Sequence, residues 1–220
     1  MTAKTAAKVT AQRVTASSKD LLVPGSKAWK AVAETAVALS PTPLDAQPSA
    51  YVRAAWADRP HGKVGTVNVA AVVADDALFI RLRWETADPR QSISDNNVYA
   101  DACAVLFPAD GKGAELATMG DEKRPVQAWH WRAGTALPFV VTATGLGTTE
   151  RAKAHPVSVG AAWEGGSWSV AFRRDLGGKG VPLAAGGSVP IGIAVWQGAN
   201  NERAGIKSHT PDWLTLELPK

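Results

Sequence analysis

Few residues able to do chemistry stand in a pattern that demands it. His61, His130, His155 and His209 show no repeated metal-ligand spacing. Cys103 is the only cysteine, which excludes an internal disulfide, a Cys-x-x-Cys-His haem attachment and a cysteine-built zinc site. No Gly-x-Ser-x-Gly elbow, P-loop, paired-His helix or Rossmann glycine pattern occurs. Gly177-Gly178-Lys179-Gly180 lacks the spacing and the following Ser or Thr of a phosphate loop and reads as a turn. Asp75, Asp76, Asp95 and Asp101 could be paired as acid and base, but aspartate is the ordinary residue of β-turns, where it bonds its own backbone.

Two segments remain. Residues 101–134 run from an apolar stretch through a Phe107-Pro108 stop into an irregular loop carrying Met119-Gly120, then into Trp129-His130-Trp131. Met119 is the only methionine besides Met1, and it sits in a loop rather than on a strand, where a gap-filling core methionine is expected. Residues 191–218 hold an apolar run ending at Trp196, a polar loop with Asn200, Asn201, Glu202 and Arg203, and Lys207 just ahead of a closing apolar run. Taken without its context, Lys207 is an ordinary solvated lysine.

The elements that must position these residues read as strands. Residues 67–85 contain two β-rich runs flanking the polar turn Ala74-Asp75-Asp76, a hairpin signal. In the second arm Leu78, Ile80, Leu82 and Trp84 share one face and Phe79, Arg81 and Arg83 the other. Similar runs cover 102–107, 126–132, 139–144, 157–163, 168–173, 189–196 and 213–218. The expected fold is therefore an all-β antiparallel sandwich with long functional loops and little helix. Residues 28–37 have a helical composition but could equally open a strand. Residues 86–97 and 109–125 are the longest irregular stretches, and such loops on a rigid sheet are where function usually sits.

The 220 residues, 45% of them hydrophobic and with nine Trp, can bury one substantial core. The expectation is a flexible segment over residues 1–20 and a single domain over 21–220. The net charge of +4 is scattered, which is a poor footprint for nucleic acid. No apolar run is long enough to span a membrane. The opening stretch, rich in Ala, Thr, Lys and Ser, reads as the start of an exported protein whose leader is absent.

Together these segments resemble the γ subunit of the ethylbenzene dehydrogenase and dimethylsulfide dehydrogenase group, which includes the selenate and chlorate reductases. The resemblance runs from about Trp29 onward. It is carried by Asp101-Ala102 with Phe107-Pro108, Met119-Gly120 with Pro125-Val126, Trp129-x-Trp131, and Ala194-Val195-Trp196 with Asn200, Glu202-Arg203, Lys207 and Trp213.

That resemblance implies a β-sandwich holding one non-covalent haem b, with Met119 and Lys207 as axial ligands and Lys179 as the reserve lysine. It implies a periplasmic electron-transfer subunit that catalyses nothing itself. Its partners would be a molybdenum-cofactor catalytic subunit, an iron–sulfur subunit and a soluble cytochrome c or similar carrier, with chlorate or selenate reduction favoured. Arg81, Arg83, Arg124 and Arg203 are the candidate partners of the haem propionates. The rival reading is a carbohydrate-binding module in which Trp129 and Trp131 stack on sugars.

Overall fold

The computed structural model describes residues 7–93, 95–96 and 98–220. Its strands in chain order are β1 (Lys8–Thr10), β2 (Gln12–Arg13), β3 (Thr35–Ala38), β4 (Ser40–Pro41), β5 (Thr66–Ala74), β6 (Ala77–Glu85), β7 (Ala102–Pro108) and β8 (Val126–Arg132). They continue with β9 (Phe139–Ala143), β10 (Glu150–Arg151), β11 (Ser158–Glu164), β12 (Ser167–Asp175), β13 (Ser188–Trp196), β14 (Ser208–His209) and β15 (Leu214–Glu217). The α-helices among the described residues are α1 (Ser18–Leu21) and α2 (Ala50–Trp56), each opened by a serine whose hydroxyl accepts from a first-turn N–H.

The strands form two sheets. The larger runs β1-β15-β13-β7-β8-β9-β10, with β14 and β4 attached at β13; the smaller runs β11-β12-β6-β5-β2, with β3 on β5. Between them lies one core to which Val105, Phe107, Trp129, Ile191 and Ile193 contribute from the larger sheet and Leu78, Ile80, Leu82 and Phe172 from the smaller. Each fully buried aliphatic or phenyl side chain there is worth about 1.5–3 kcal/mol. This is the expected sandwich.

The expected hairpin is present with its register set by the turn. Ala74 faces Ala77, and Asp75 and Asp76 both take positive φ, 46° and 55°, as a two-residue turn matched to strand twist requires.

Within the opening segment expected to be flexible, residues 8–13 are held in the sheets: β1 pairs in parallel with β15 and β2 in parallel with β5, with Val9 and Ala11 buried in the core. A short strand needs only one apolar face and a free edge to dock on, and residues 8–13 supply the first while β15 and β5 supply the second. These pairs are also exceptions to the antiparallel rule. Residues 28–37 divide between a single 3₁₀ turn ending at Trp29 and strand β3, so the composition signalled both halves of the alternative.

Strand β7 is buried along its whole length. Its odd residues Cys103, Val105 and Phe107 enter the inter-sheet core, while Ala104 and Leu106 belong to a separate cluster on the outer face. That outer face is covered by the loops spanning 109–125, 144–149 and 197–213, and it positions the site.

Candidate functional site

Alternation along four neighbouring strands puts small side chains on the outer face of the larger sheet. Ala102 and Ala104 of β7, Ala128 of β8, Ala143 of β9 and Ala194 of β13 pave it, with Leu106 and Val141 among them. A methyl stands barely proud of the backbone, so this floor is shallow and apolar. Above it lie two adjoining cavities of about 400 and 220 Å³. The larger alone is within the range of small-molecule and cofactor sites.

Four residues border both cavities: Leu106, Leu146, Met119 and Lys207. The last two come from loops remote in sequence, and the backbone of each is held with care.

Met119 takes φ 60°, in the left-handed region that a long side chain rarely occupies. The following Gly120 has φ 76°, and a Cβ there would lie 2.4 Å from the carbonyl oxygen of Arg124. Only glycine can close this turn, in which Gly120 N–H donates to Glu115 O at 2.8 Å and Met119 N–H to Leu116 O at 3.1 Å. The Met-Gly pair is thus a device that aims the thioether at the sheet, and Gly145 N–H donates to Met119 O at 3.2 Å from the covering loop. A strained, well-bonded residue facing a cavity is a pointer to function.

The segment Glu202-Arg203-Ala204-Gly205-Ile206-Lys207 is organised residue by residue. Glu202 is buried and its carboxylate accepts from Gln197 N–H at 2.9 Å, Lys63 N–H at 3.1 Å and the Asn200 amide at 3.0 Å, which fixes the loop. Gly205 lets Gln47 approach; a Cβ there would meet the Gln47 amide oxygen at 1.8 Å. Lys207 N–H reaches Thr42 Oγ1 at 3.4 Å, and Thr42 N–H donates to Lys207 O at 3.0 Å. Its side chain is only 8% exposed, and among the described residues its amine has no carboxylate partner. Burial pulls its pKa down to about 8.

His130, which carries no ligand pattern in the sequence, is the site residue that sequence reasoning missed. It projects from β8 into the larger cavity between the rings of Phe139 and Trp196, at centroid distances of 5.9 and 5.1 Å. Its Nδ1 is sealed from solvent and has no hydrogen-bond partner. Burial first, then the positive charges of Arg132, Arg151 and Lys207, push its pKa down to about 4, so it is a neutral imidazole. Its place between two inward tryptophans was the available signal, since alternation must send it to the opposite face. His209 borders the smaller cavity, and burial followed by Lys207 lowers its pKa too.

The donor set fits a haem: a thioether, an amine inclined to neutrality and an imidazole with an unpartnered nitrogen surround a flat apolar floor. Among the described residues no group of three His, Cys, Asp or Glu could hold a bare metal ion.

Other expected residues fall elsewhere. Lys179 is exposed in the glycine turn, whose carbonyls at Gly177, Lys179 and Val181 accept from the buried Arg174, and it borders neither cavity. Arg81 and Arg83 lie on the smaller sheet and share Glu34, at 2.8 and 2.7 Å, while Arg124 pairs with Asp121 at 2.9 Å. Of the four arginines, only Arg203 borders the cavity. Asp101 is wholly buried and committed to structure, accepting from Trp168 Nε1 at 2.8 Å, Gly198 N–H at 2.7 Å and Arg90 N–H at 2.9 Å. Trp129 and Trp131 are 0% and 3% exposed in the inter-sheet core, so neither can stack on a sugar. The carbohydrate reading loses the aromatics it rested on because inward alternation buries both.

A solved carbohydrate-binding module of family 9 from Caldicellulosiruptor kristjanssonii, in complex with glucose, superposes with a TM-score of 0.57 over 96% of this chain and 95% of its own. At 10% identity that likeness shows the fold alone. The sequence relatives are of another kind. A chlorate reductase subunit gamma from Ideonella dechloratans is 36% identical over 163 residues, 71% of this chain and 67% of its own. A protein named for a respiratory nitrate reductase haem subunit in Haloferax mediterranei is 29% identical over 188 residues, 84% of this chain and 64% of its own. A dimethylsulfide dehydrogenase subunit gamma from Rhodovulum sulfidophilum is 24% identical over 152 residues, 65% of this chain and 57% of its own. The chain thus spans between 57% and 67% of the length of these relatives. Residues 26–156 match the family model described as ethylbenzene dehydrogenase, and with that match and the chlorate reductase relative the chain belongs to the ethylbenzene dehydrogenase family.

Proposed function

We propose that this chain is a non-catalytic electron-transfer subunit of a periplasmic molybdenum oxidoreductase, holding one non-covalent haem b with Met119 and Lys207 as its axial ligands. The observation that carries the reading is that these two donors, from separate loops, border the same pair of cavities over an alanine floor. The haem subunit named among the relatives and the two gamma subunits support the cofactor and the assembly.

When bound, the haem supplies a one-electron ferric–ferrous couple. Met119 offers a soft, weak donor that favours the ferrous form and a high potential. Lys207 can ligate only after losing its proton, and its burial lowers the cost of doing so. With Met119 and Lys207 both ligating, the iron would have no position left for a substrate, which is why the chain is read as a relay. Leu106, Leu146 and the alanine floor would shield a bound haem from water. Among the described residues no helix is long and apolar enough to cross a membrane. The partners are a molybdenum-cofactor catalytic subunit, an iron–sulfur subunit and a soluble carrier such as a cytochrome c. The chlorate reductase relative favours an oxyanion-reducing complex.

An absorption spectrum of the purified full chain, with pyridine-haemochrome quantitation, tests the reading. The expected result is one haem b per chain with the bands of a six-coordinate low-spin iron. A colourless protein that takes up no haem when it is offered would overturn it.

A further inference from the structure

The wall of the larger cavity is unlike its floor. The floor is alanine, leucine and valine, but Arg132, Arg151 and Arg203 all border the cavity. They arrive independently: Arg132 ends β8, Arg151 lies on the edge strand β10 opposite Val141, and Arg203 stands in the loop ahead of Lys207. Among the described residues none of the three has a carboxylate partner. Glu202, the one carboxylate among the described residues on the cavity wall, already accepts three hydrogen bonds, from Gln197 and Asn200 of its own loop and from Lys63 N–H.

Aromatic rings hold these cations in place. The guanidiniums of Arg132 and Arg151 lie 5.7 and 3.8 Å from the centroid of Phe139, and that of Arg203 lies 4.6 Å from the centroid of Tyr99. Stacking uses the face of a guanidinium and leaves its N–H edge free, the edge that binds carboxylate in bidentate fashion. Three like charges on the wall of an apolar slot repel each other unless an anion joins them. Their field already reaches the cavity interior, where Arg132 and Arg151 contribute to holding His130 neutral.

We infer that Arg132, Arg151 and Arg203 form a carboxylate-binding wall of this cavity that takes the two propionates of the porphyrin and so fixes its orientation in the slot. This rests on the haem reading above and adds residues to it. A porphyrin carries its two carboxylates on one side of an otherwise apolar ring, and the cavity has the matching chemistry, with three guanidiniums on its wall and methyl groups along its floor.

The test compares iron protoporphyrin IX with its dimethyl ester, which has the same ring and metal but no propionate charge. Both are titrated into the full chain produced without haem. The native chain is expected to prefer the free acid by about tenfold or more, with the preference shrinking as salt rises. Arg132→Leu and Arg151→Leu together should remove most of that preference by weakening the free acid alone, and Arg203→Leu should remove part of it. Lysine at the same positions should restore some of it, and Arg124→Leu, outside the cavity, should change nothing. Equal affinity of the native chain for the two porphyrins, or a preference that survives leucine at all three positions, overturns the assignment while leaving the haem reading intact. Failure of the native chain to bind either porphyrin overturns both.

Discussion

The Nζ of Lys207 stands 5.5 Å from the centroid of the Trp196 ring, on the outer face of the larger sheet. A protonated amine in this place has the indole face and, among the described residues, no carboxylate to stabilise it. The neutral amine needs no such partner, and its lone pair is free for a metal.

The first prediction follows from that competition between proton and iron. With the Lys207 pKa near 8, haem affinity should fall about tenfold for each pH unit below 8 and level off above it. Haem titrations between pH 6 and 9 check this. In Lys207→Ala the affinity should be lower at pH 9 and the slope should vanish; a native profile that is flat from pH 6 to 9 would sink the lysine ligand.

Spin state reads the ligands directly. Met119→Ala and Lys207→Ala should each shift the bound haem towards high spin, and Lys179→Ala should leave it unchanged because Lys179 borders neither cavity. Met119→His should stay low-spin with a lower potential, since imidazole is the stronger donor. His209 borders the smaller cavity and can replace Lys207, so Lys207→Ala is best examined with His209→Ala added. Unchanged spectra in both the Met119→Ala and the Lys207→Ala, His209→Ala proteins would remove the assignment.

His130 makes the haem-free chain acid-sensitive. Its pKa lies near 4 in the fold and near 6.5 in the unfolded chain, so between those values the unfolded state binds the extra proton. Stability should therefore rise with pH from 4 to about 6.5 and then level, by on the order of 3 kcal/mol from this residue. Urea melts of native and His130→Phe chains across that window measure it; the same acid loss in both would refute the account.

Filling the floor should separate binding from folding. Ala128 is buried on the outer face, away from the inter-sheet core, and Ala128→Phe should cost about 1–3 kcal/mol of stability while abolishing haem uptake. Circular dichroism and haem titration of this variant decide it, and full haem occupancy would show that the floor is not the binding surface.

The sandwich was legible because its signals are local. Residues 67–85 spell out a hairpin in their alternation, and the turn Asp75-Asp76 lies at its tip; the runs at 102–107, 126–132 and 189–196 are strands within a residue of where their patterns end. Period-two patterning states which side chains share a face. It does not state which face meets which, so Trp129 and Trp131 could be read as exposed and His130 could be passed over until β8 was packed. Met119 and Lys207 were singled out through a family resemblance, and no spacing in the chain dictates that they meet. The tertiary structure decided their shared cavities, because two loops anchored at Gly120 and Glu202 fold onto one alanine floor. It also decided which arginines face the cavity, since a guanidinium is recruited by whichever carboxylate or ring the fold brings beside it. Glu34 claims Arg81 and Arg83, while Phe139 and Tyr99 leave Arg132, Arg151 and Arg203 with their charge unspent.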